Sequence, residues 1–181
     1  MNTFKSLGLA AVLATCTTFA QAETGLYGGV STLLGSYEES GVPSLDLNFL
    51  QAQIGNRFSE YWAIEGRVGM GIGDDVASVG GVNVKLEGEY IVSVFAKGIL
   101  PINPNFDLYA LAGMTYTSLD ASANFMGNSF STSESGSDVS FGLGASFQAS
   151  ESTKLFVEYS NFYDKNDISI DGLTLGFNSS F

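Results

Sequence analysis

Five charged side chains fall on the polar faces of segments in which apolar and polar residues alternate. Glu65 and Arg67 are two residues apart, so they share one face of a β-strand, and Glu89 and Lys97 share the polar face of the following segment. Glu158 lies between two apolar-face residues. If these faces are enclosed, the charges must pair, because an unpaired buried charge is strongly destabilising. We predict an interior polar network of these five residues, either a gate whose ion pairs exchange or a static plug, and a narrow interior favours the plug.

The composition excludes most other chemistry. The 181 residues include no histidine and one cysteine, so Ser-His-Asp and Cys-His mechanisms, His-ligated metal sites and disulfide frameworks are not available. The adjacent carboxylates Glu38–Glu39 and Asp74–Asp75 are expected to be solvated loop charges rather than hydrolytic pairs. The formal net charge of −12 argues against a nucleic-acid partner. We expect no enzyme, no catalytic residue, no cofactor and no metal site.

The first 22 residues have the layout of a secretory signal peptide. Lys5 precedes a short apolar run, and Ala20-Gln21-Ala22 is a small-x-small cleavage site. Cleavage after Ala22 takes 22 residues from the 181 and leaves 159, residues 23–181, as one domain. Cys16 allows the alternative of processing as a lipoprotein, although Ala20-Gln21-Ala22 is the better site.

Residues 23–181 alternate with the period of a β-strand, in segments of about ten residues. In 138–149 the apolar residues Val139, Phe141, Leu143, Ala145, Phe147 and Ala149 form one face. Eight strands are predicted over 24–35, 45–58, 62–73, 84–100, 106–118, 137–149, 153–163 and 168–181. Short turns follow the even-numbered strands, while the longer loops 36–44, 74–83 and 119–136 follow odd-numbered ones. This asymmetry is typical of a transmembrane β-barrel.

The apolar faces are predicted to point outward into lipid. The polar faces consist largely of Gly, Ser and Thr, which suits a narrow enclosed interior better than a solvated surface. Aromatic residues gather near the strand ends, as in two interfacial girdles: Phe58, Tyr61, Trp62 and Phe106 at the short-turn end, and Tyr37, Tyr116 and Tyr163 at the other. Because lipid cannot satisfy a free sheet edge, we predict an all-β fold, a closed eight-stranded antiparallel up-and-down transmembrane β-barrel.

The order and spacing of several short stretches resemble the small outer-membrane β-barrel family, the OmpA-like barrel domains and their eight-stranded, porin-like relatives. These stretches are Arg57-Phe58, Tyr61-Trp62-Ala63-Ile64-Glu65-Gly66, Phe95-Ala96-Lys97-Gly98, Leu108-Tyr109-Ala110-Leu111-Ala112-Gly113, Val157-Glu158-Tyr159 and Leu175-Gly176-Phe177. The resemblance implies a place in the outer membrane of a Gram-negative bacterium. It also implies that the terminal aromatic, Phe181, is recognised by the barrel-assembly machinery.

Three functions follow from these expectations. The first is a non-enzymatic, monomeric barrel with a structural or surface-interaction role, in which the Ser- and Asn-rich loop 119–136 contacts an extracellular partner. The second is a narrow porin for small solutes or hydrophobic molecules. The third is a soluble periplasmic lipocalin-like carrier, which requires the apolar faces to point inward. The membrane barrels would contact lipid and lipopolysaccharide, and their acidic loops would need Mg²⁺ or Ca²⁺ to bridge to its phosphates.

Overall fold

The alternating segments form β-strands throughout the computed structural model, which describes residues 25–39, 44–79, 82–125, 128–165 and 168–181. The strands in this part of the chain are β1 (Gly25–Glu39), β2 (Leu45–Arg57), β3 (Trp62–Gly71), β4 (Asp74–Val79), β5 (Val82–Asn103), β6 (Phe106–Phe125), β7 (Asn128–Gln148), β8 (Thr153–Lys165) and β9 (Ile168–Ser180). The predicted leader, with Cys16 and the Ala22 cleavage site, lies outside the described residues.

The strands pair antiparallel and the sheet closes on itself. Its order is β3-β2-β1-β9-β8-β7-β6-β5, and β5 pairs back onto β3. β3 and β4 pair with successive parts of the same strand, β5, so together they occupy one position in the ring of strands. The break between them includes Gly73, whose φ of 92° is a conformation that favours glycine. With β3 and β4 counted as one position, the predicted closed eight-stranded up-and-down barrel is confirmed.

The apolar faces point out of the barrel and the polar faces point in. Val139, Phe141 and Leu143 are 63%, 59% and 70% exposed, whereas Glu65 and Arg67 are 0% and 3% exposed. A soluble lipocalin-like carrier has the reverse orientation, so its central requirement is not met. Among the described residues, no helix is long and apolar enough to cross a membrane.

Three neighbouring strands extend well past the length that lipid requires, and the short strand β4 pairs alongside them. β5, β6 and β7 have 22, 20 and 21 residues, whereas a tilted transmembrane strand needs about 9–11. The predicted loops 74–83 and 119–136 are therefore wrong for most of their length, since β4 pairs with β5, and β6 pairs with β7 out to Phe125 and Asn128. Strands beyond the lipid need no apolar outer face, so alternation could not reveal them. We call this extension, residues 74–79, 82–89, 117–125 and 128–138, the outer wall.

Aromatic residues mark both ends of the apolar exterior. Tyr90 and Tyr116 stack with ring centroids 5.9 Å apart at the base of the outer wall. Phe58, Tyr61 and Trp62 are exposed at the short-turn end, and Phe106 is half-buried there. Two predicted girdle residues lie elsewhere: Tyr37 and Tyr163 pack against a buried apolar cluster inside the barrel. The inward-facing side of the barrel therefore includes aromatic as well as polar residues.

Candidate functional site

Four charged side chains meet across the middle of the barrel, and we call them the ion cluster. Arg67 Nη1 and Nη2 each donate to a carboxylate oxygen of Glu158 at 2.8 Å, while Arg67 Nε donates to Glu65 Oε1 at 2.7 Å. Lys97 Nζ lies 3.6 Å from Glu65 Oε2. β3 and β8 are diametrically opposite in the ring of strands, so the bidentate Arg67–Glu158 pair bridges the interior. Two carboxylates and two cations balance each other where water is largely excluded.

Hydroxyl groups complete the coordination of both carboxylates. The Tyr27 hydroxyl donates to Glu65 Oε2 at 2.7 Å. Glu158 accepts hydrogen bonds from Ser160 Oγ at 2.8 Å and from the Tyr109 hydroxyl at 3.3 Å. The Tyr109 ring also lies 3.8 Å from Lys97 Nζ, which places the ammonium over its π face. The charged groups are thus held by neutral donors as well as by each other.

The two tyrosines were missed by the sequence analysis, although a signal for them exists. Tyr27 and Tyr109 occupy polar-face positions, where a large ring needs an empty neighbour. A methyl group added at Gly55 would overlap the Tyr27 ring, and one at Gly144 would overlap the Tyr109 ring. The glycine-rich inner face thus provides the space that the tyrosines fill.

Glu89 does not join the other predicted network residues. A register shift in the β5–β6 ladder lies between Gly88 and Tyr90, so Glu89 and Tyr90 are both exposed. The Glu89 carboxylate accepts a hydrogen bond from Ser118 Oγ at 2.7 Å. Parity counted along an unbroken strand placed Glu89 inside, and the bulge reverses that placement. Glu65, Arg67, Lys97 and Glu158 are the predicted residues that lie together.

Towards the short turns the interior opens into a cavity of about 680 Å³, lined by charged, polar and apolar residues, which we call the vestibule. Its main carboxylate is Asp107, with Lys154 Nζ at 2.5 Å and Arg57 Nη1 at 3.7 Å. Lys97 also lines it, as does Phe181. The Phe181 amide donates to the Leu26 carbonyl at 3.2 Å, which fixes the chain end beside β1.

Towards the outer wall the interior becomes apolar. Six large apolar side chains here are each at most 1% exposed, and we call them the septum: Leu33, Leu47, Phe49, Ile91, Phe95 and Phe162. The Phe95 ring centroid lies 5.1 Å from the Arg67 guanidinium carbon, so Phe95 is where the septum meets the ion cluster. Alternation does not predict this layer, because adjacent apolar residues such as Phe49 and Leu50 do not show which one points inward.

The interior offers ion pairing and filling rather than reactive groups. Both carboxylates of the ion cluster are engaged by cations and hydroxyl donors, which leaves neither as a free base. Within the described ranges, no group of three or more His, Cys, Asp or Glu residues could hold a metal ion. What the arrangement does is tie opposite strands together across the barrel, with the apolar septum on its outer side.

A closed antiparallel barrel with an apolar exterior, aromatic ends and a charged interior defines a transmembrane β-barrel protein. The chain belongs to the family of the outer membrane protein beta-barrel domain, whose model matches residues 7–181. It is therefore a Gram-negative outer membrane protein, and the predicted family and location are confirmed.

Solved structures with the same fold include three small outer membrane proteins. Ail, the attachment invasion locus protein of Yersinia pestis, superposes with a TM-score of 0.62 at 17% identity, covering 87% of this chain and 99% of Ail. Neisserial surface protein A gives 0.59 at 14% identity, covering 88% and 100%. OprG of Pseudomonas aeruginosa gives 0.56 at 14% identity, covering 87% and 95%. No curated protein sequence matches the chain.

Proposed function

We propose that this protein is a non-enzymatic, monomeric outer membrane barrel with a structural or surface-interaction role, and that it does not conduct solutes. The observation that carries the proposal is the filled interior. The ion cluster crosses the barrel between opposite strands, and the septum lies directly above it with side chains at most 1% exposed. An eight-stranded barrel has just enough interior volume for such side chains. Partnership with outer-membrane lipid, and recognition of Phe181 by the assembly machinery, belong to the same proposal.

Conductance measurements test the closed state against the narrow-porin alternative. Purified, refolded protein in planar bilayers should show no resolved single-channel steps, and liposomes containing it should not swell in small sugars. A general porin measured in the same membranes provides the positive control. Reproducible steps or swelling from the unmodified chain would favour the porin.

The outer wall is the surface we propose for contact with an extracellular partner. Its strands contain seven acidic residues and one basic residue: Asp74, Asp75, Glu87, Glu89, Asp120, Glu134 and Asp138, against Lys85. A region with this excess of negative charge attracts a basic partner and repels polyanions. Ail has been solved in complex with the heparin analogue sucrose octasulfate. The acidic wall leads us to propose the opposite preference for this chain.

Binding of charged polymers measures this preference. Protein in nanodiscs made of uncharged lipid should bind immobilised polylysine, with affinity falling as salt rises, and should not bind heparin. The Asp120→Asn/Glu134→Gln variant should bind polylysine several-fold more weakly, because it removes two charges from the wall. The matched variant Glu60→Gln/Glu151→Gln removes two charges at the short-turn end and should bind normally. Equal loss in both variants would assign binding to net charge rather than to the wall.

A further inference from the structure

We infer that the barrel is an aqueous half-channel, open through the vestibule and stopped by the septum, so that the septum rather than the ion cluster is the barrier to water and ions. The inference rests on the proposed non-conducting state and identifies which layer of the interior produces it. Apolar constrictions stop conduction by excluding water even where the backbone leaves space.

The septum is built from large side chains on four strands. Leu33 comes from β1, Leu47 and Phe49 from β2, Ile91 and Phe95 from β5, and Phe162 from β8. The Phe49 ring is so close to Gly88 that an added Cβ there would lie 2.5 Å from Phe49 Cζ. The rings therefore fill the space that small inward-facing residues leave.

Three hydroxyl groups at the same level form hydrogen bonds within the protein, although Asn161 Oδ1, next to Phe162, has no partner in the described part of the chain. Thr115 Oγ1 lies 2.8 Å from both Ser93 Oγ and Ser140 Oγ, and Ser140 Oγ also donates to the Phe162 carbonyl at 3.2 Å. Because these hydroxyl groups already form hydrogen bonds within the protein, they do not provide a hydrogen-bonded path for water through the septum.

Below the septum, by contrast, several buried polar groups have no hydrogen-bond partner among the described residues. Gln51 and Gln53 are 1% and 5% exposed, yet Gln51 Nε2 and both polar atoms of the Gln53 amide have no hydrogen-bond partner in the described part of the chain. Thr174 Oγ1, on β9, also has no hydrogen-bond partner within the described ranges. Leaving such groups unsatisfied costs about 1–3 kcal/mol each. Internal water is the usual partner for buried polar groups of this kind.

A short route leads from the vestibule to these amides. Asn178 lines the vestibule and is paired with Gly29, and Gly29 is paired with Gln53 on its other side. Gly29 has no side chain, and the neighbouring strand comes close to its inner face, since an added Cβ would lie 3.0 Å from Asn178 Cβ. Asn178 therefore packs against Gly29, and no side chain at this position of β1 separates it from Gln53. Gln51, one inward position further, accepts from Ser31 Oγ at 3.3 Å. The next inward pair on these strands is Leu33 and Phe49, where the polar route ends.

The ion cluster lies beside this route and below the septum. Breaking its pairs would therefore leave the apolar layer in place, whereas truncating the septum would join the half-channel to the outer surface. The two layers can be separated by experiment.

Single-channel recording in planar bilayers compares three variants with the unmodified chain. Phe49→Ala/Phe162→Ala should change a silent barrel into one with resolved conductance steps. The matched variant Phe141→Ala/Phe177→Ala removes the same atoms from the lipid-facing surface and should stay silent. Glu158→Gln, which breaks the ion cluster, should also stay silent. Steps from Glu158→Gln, or silence from a folded Phe49→Ala/Phe162→Ala barrel, would overturn the inference, and steps from the unmodified chain would instead refute the proposed function.

Thiol accessibility provides a second measurement that does not depend on truncating the septum. In a chain carrying Cys16→Ser, Gln53→Cys lies below the septum and Leu47→Cys lies within it. Silver ions can follow water-sized paths. They should react with the Gln53→Cys thiol at least about tenfold faster than with the Leu47→Cys thiol. Heat-modifiable gel migration confirms that each variant is folded. Equal rates, or an unreactive Gln53→Cys thiol, would show that the lower half is dry and would refute the half-channel.

Discussion

Replacing Arg67 by methionine should destabilise the barrel far more than replacing Lys154, a cation of the vestibule. Arg67 donates to both carboxylates of the ion cluster, at 2.7 Å to Glu65 and at 2.8 Å twice to Glu158. Without it Lys97 alone faces two buried carboxylates, and the cluster changes from neutral to a charge of minus one. Breaking a buried pair in this way costs about 3–5 kcal/mol.

A matched variant separates this effect from the loss of any positive side chain. Lys154 also pairs with a carboxylate, at 2.5 Å from Asp107, but its side chain is 26% exposed in the vestibule. Solvent screens such a pair, so Lys154→Met should cost about 1 kcal/mol or less.

A double-variant cycle then tests whether the cost comes from the charge imbalance. Arg67→Met/Glu158→Gln leaves one carboxylate, Glu65, and one cation, Lys97, so the cluster is neutral again. We expect the double variant to be about 2 kcal/mol more stable than the sum of the two single losses predicts.

Urea unfolding from lipid vesicles measures all of these free energies. Trp62, the single tryptophan, is 54% exposed on the outer surface, so its emission reports transfer between lipid and water. Unfolding should be shown to be reversible and two-state before free energies are compared. Additive single losses, or an Arg67→Met cost no larger than that of Lys154→Met, would refute the reasoning.

Three further predictions follow from other parts of the structure. Gly144→Ala should lower stability by about 1–3 kcal/mol by displacing the Tyr109 ring. Gly66→Ala, where an added Cβ would lie 4.0 Å from the Ile54 carbonyl oxygen, should be nearly neutral in the same urea titration. Phe181→Ala should reduce the heat-modifiable, assembled fraction in outer membranes several-fold, while Phe177→Ala, another exposed aromatic of the same end, should not; equal yields would remove the assembly role. Mass spectrometry of the exported protein should find a chain that begins at Glu23, and a lipid-modified chain that begins at Cys16 would contradict cleavage after Ala22.

Much of the architecture could be predicted from the sequence because lipid imposes a strict pattern. Within the hydrocarbon layer every outward side chain must be apolar and every strand must be paired, so alternation revealed the transmembrane segments and their orientation. The same alternation also predicts which charged side chains of the ion cluster point inward. Glu65 and Arg67 share one face of a strand, and Lys97 and Glu158 occupy inward positions of other strands. What alternation could not show was that Arg67 and Glu158 lie on opposite strands and reach each other across the interior.

Three features were decided only by the tertiary structure. The outer wall lies beyond the lipid, where no outward pattern is required, so alternation predicts a loop over 119–136 instead of paired strands. Alternation places Glu89 inside because a one-residue bulge reverses parity there, and the bulge lies at the edge of the outer wall, where no apolar outer face reveals it. The septum escaped because a side chain such as Phe49 is equally suited to lipid or to an enclosed interior. The segments that cross the membrane can be identified from the sequence alone, since they depend on local pattern. The closure of the interior depends on side chains from different strands, which meet only once the ring is formed.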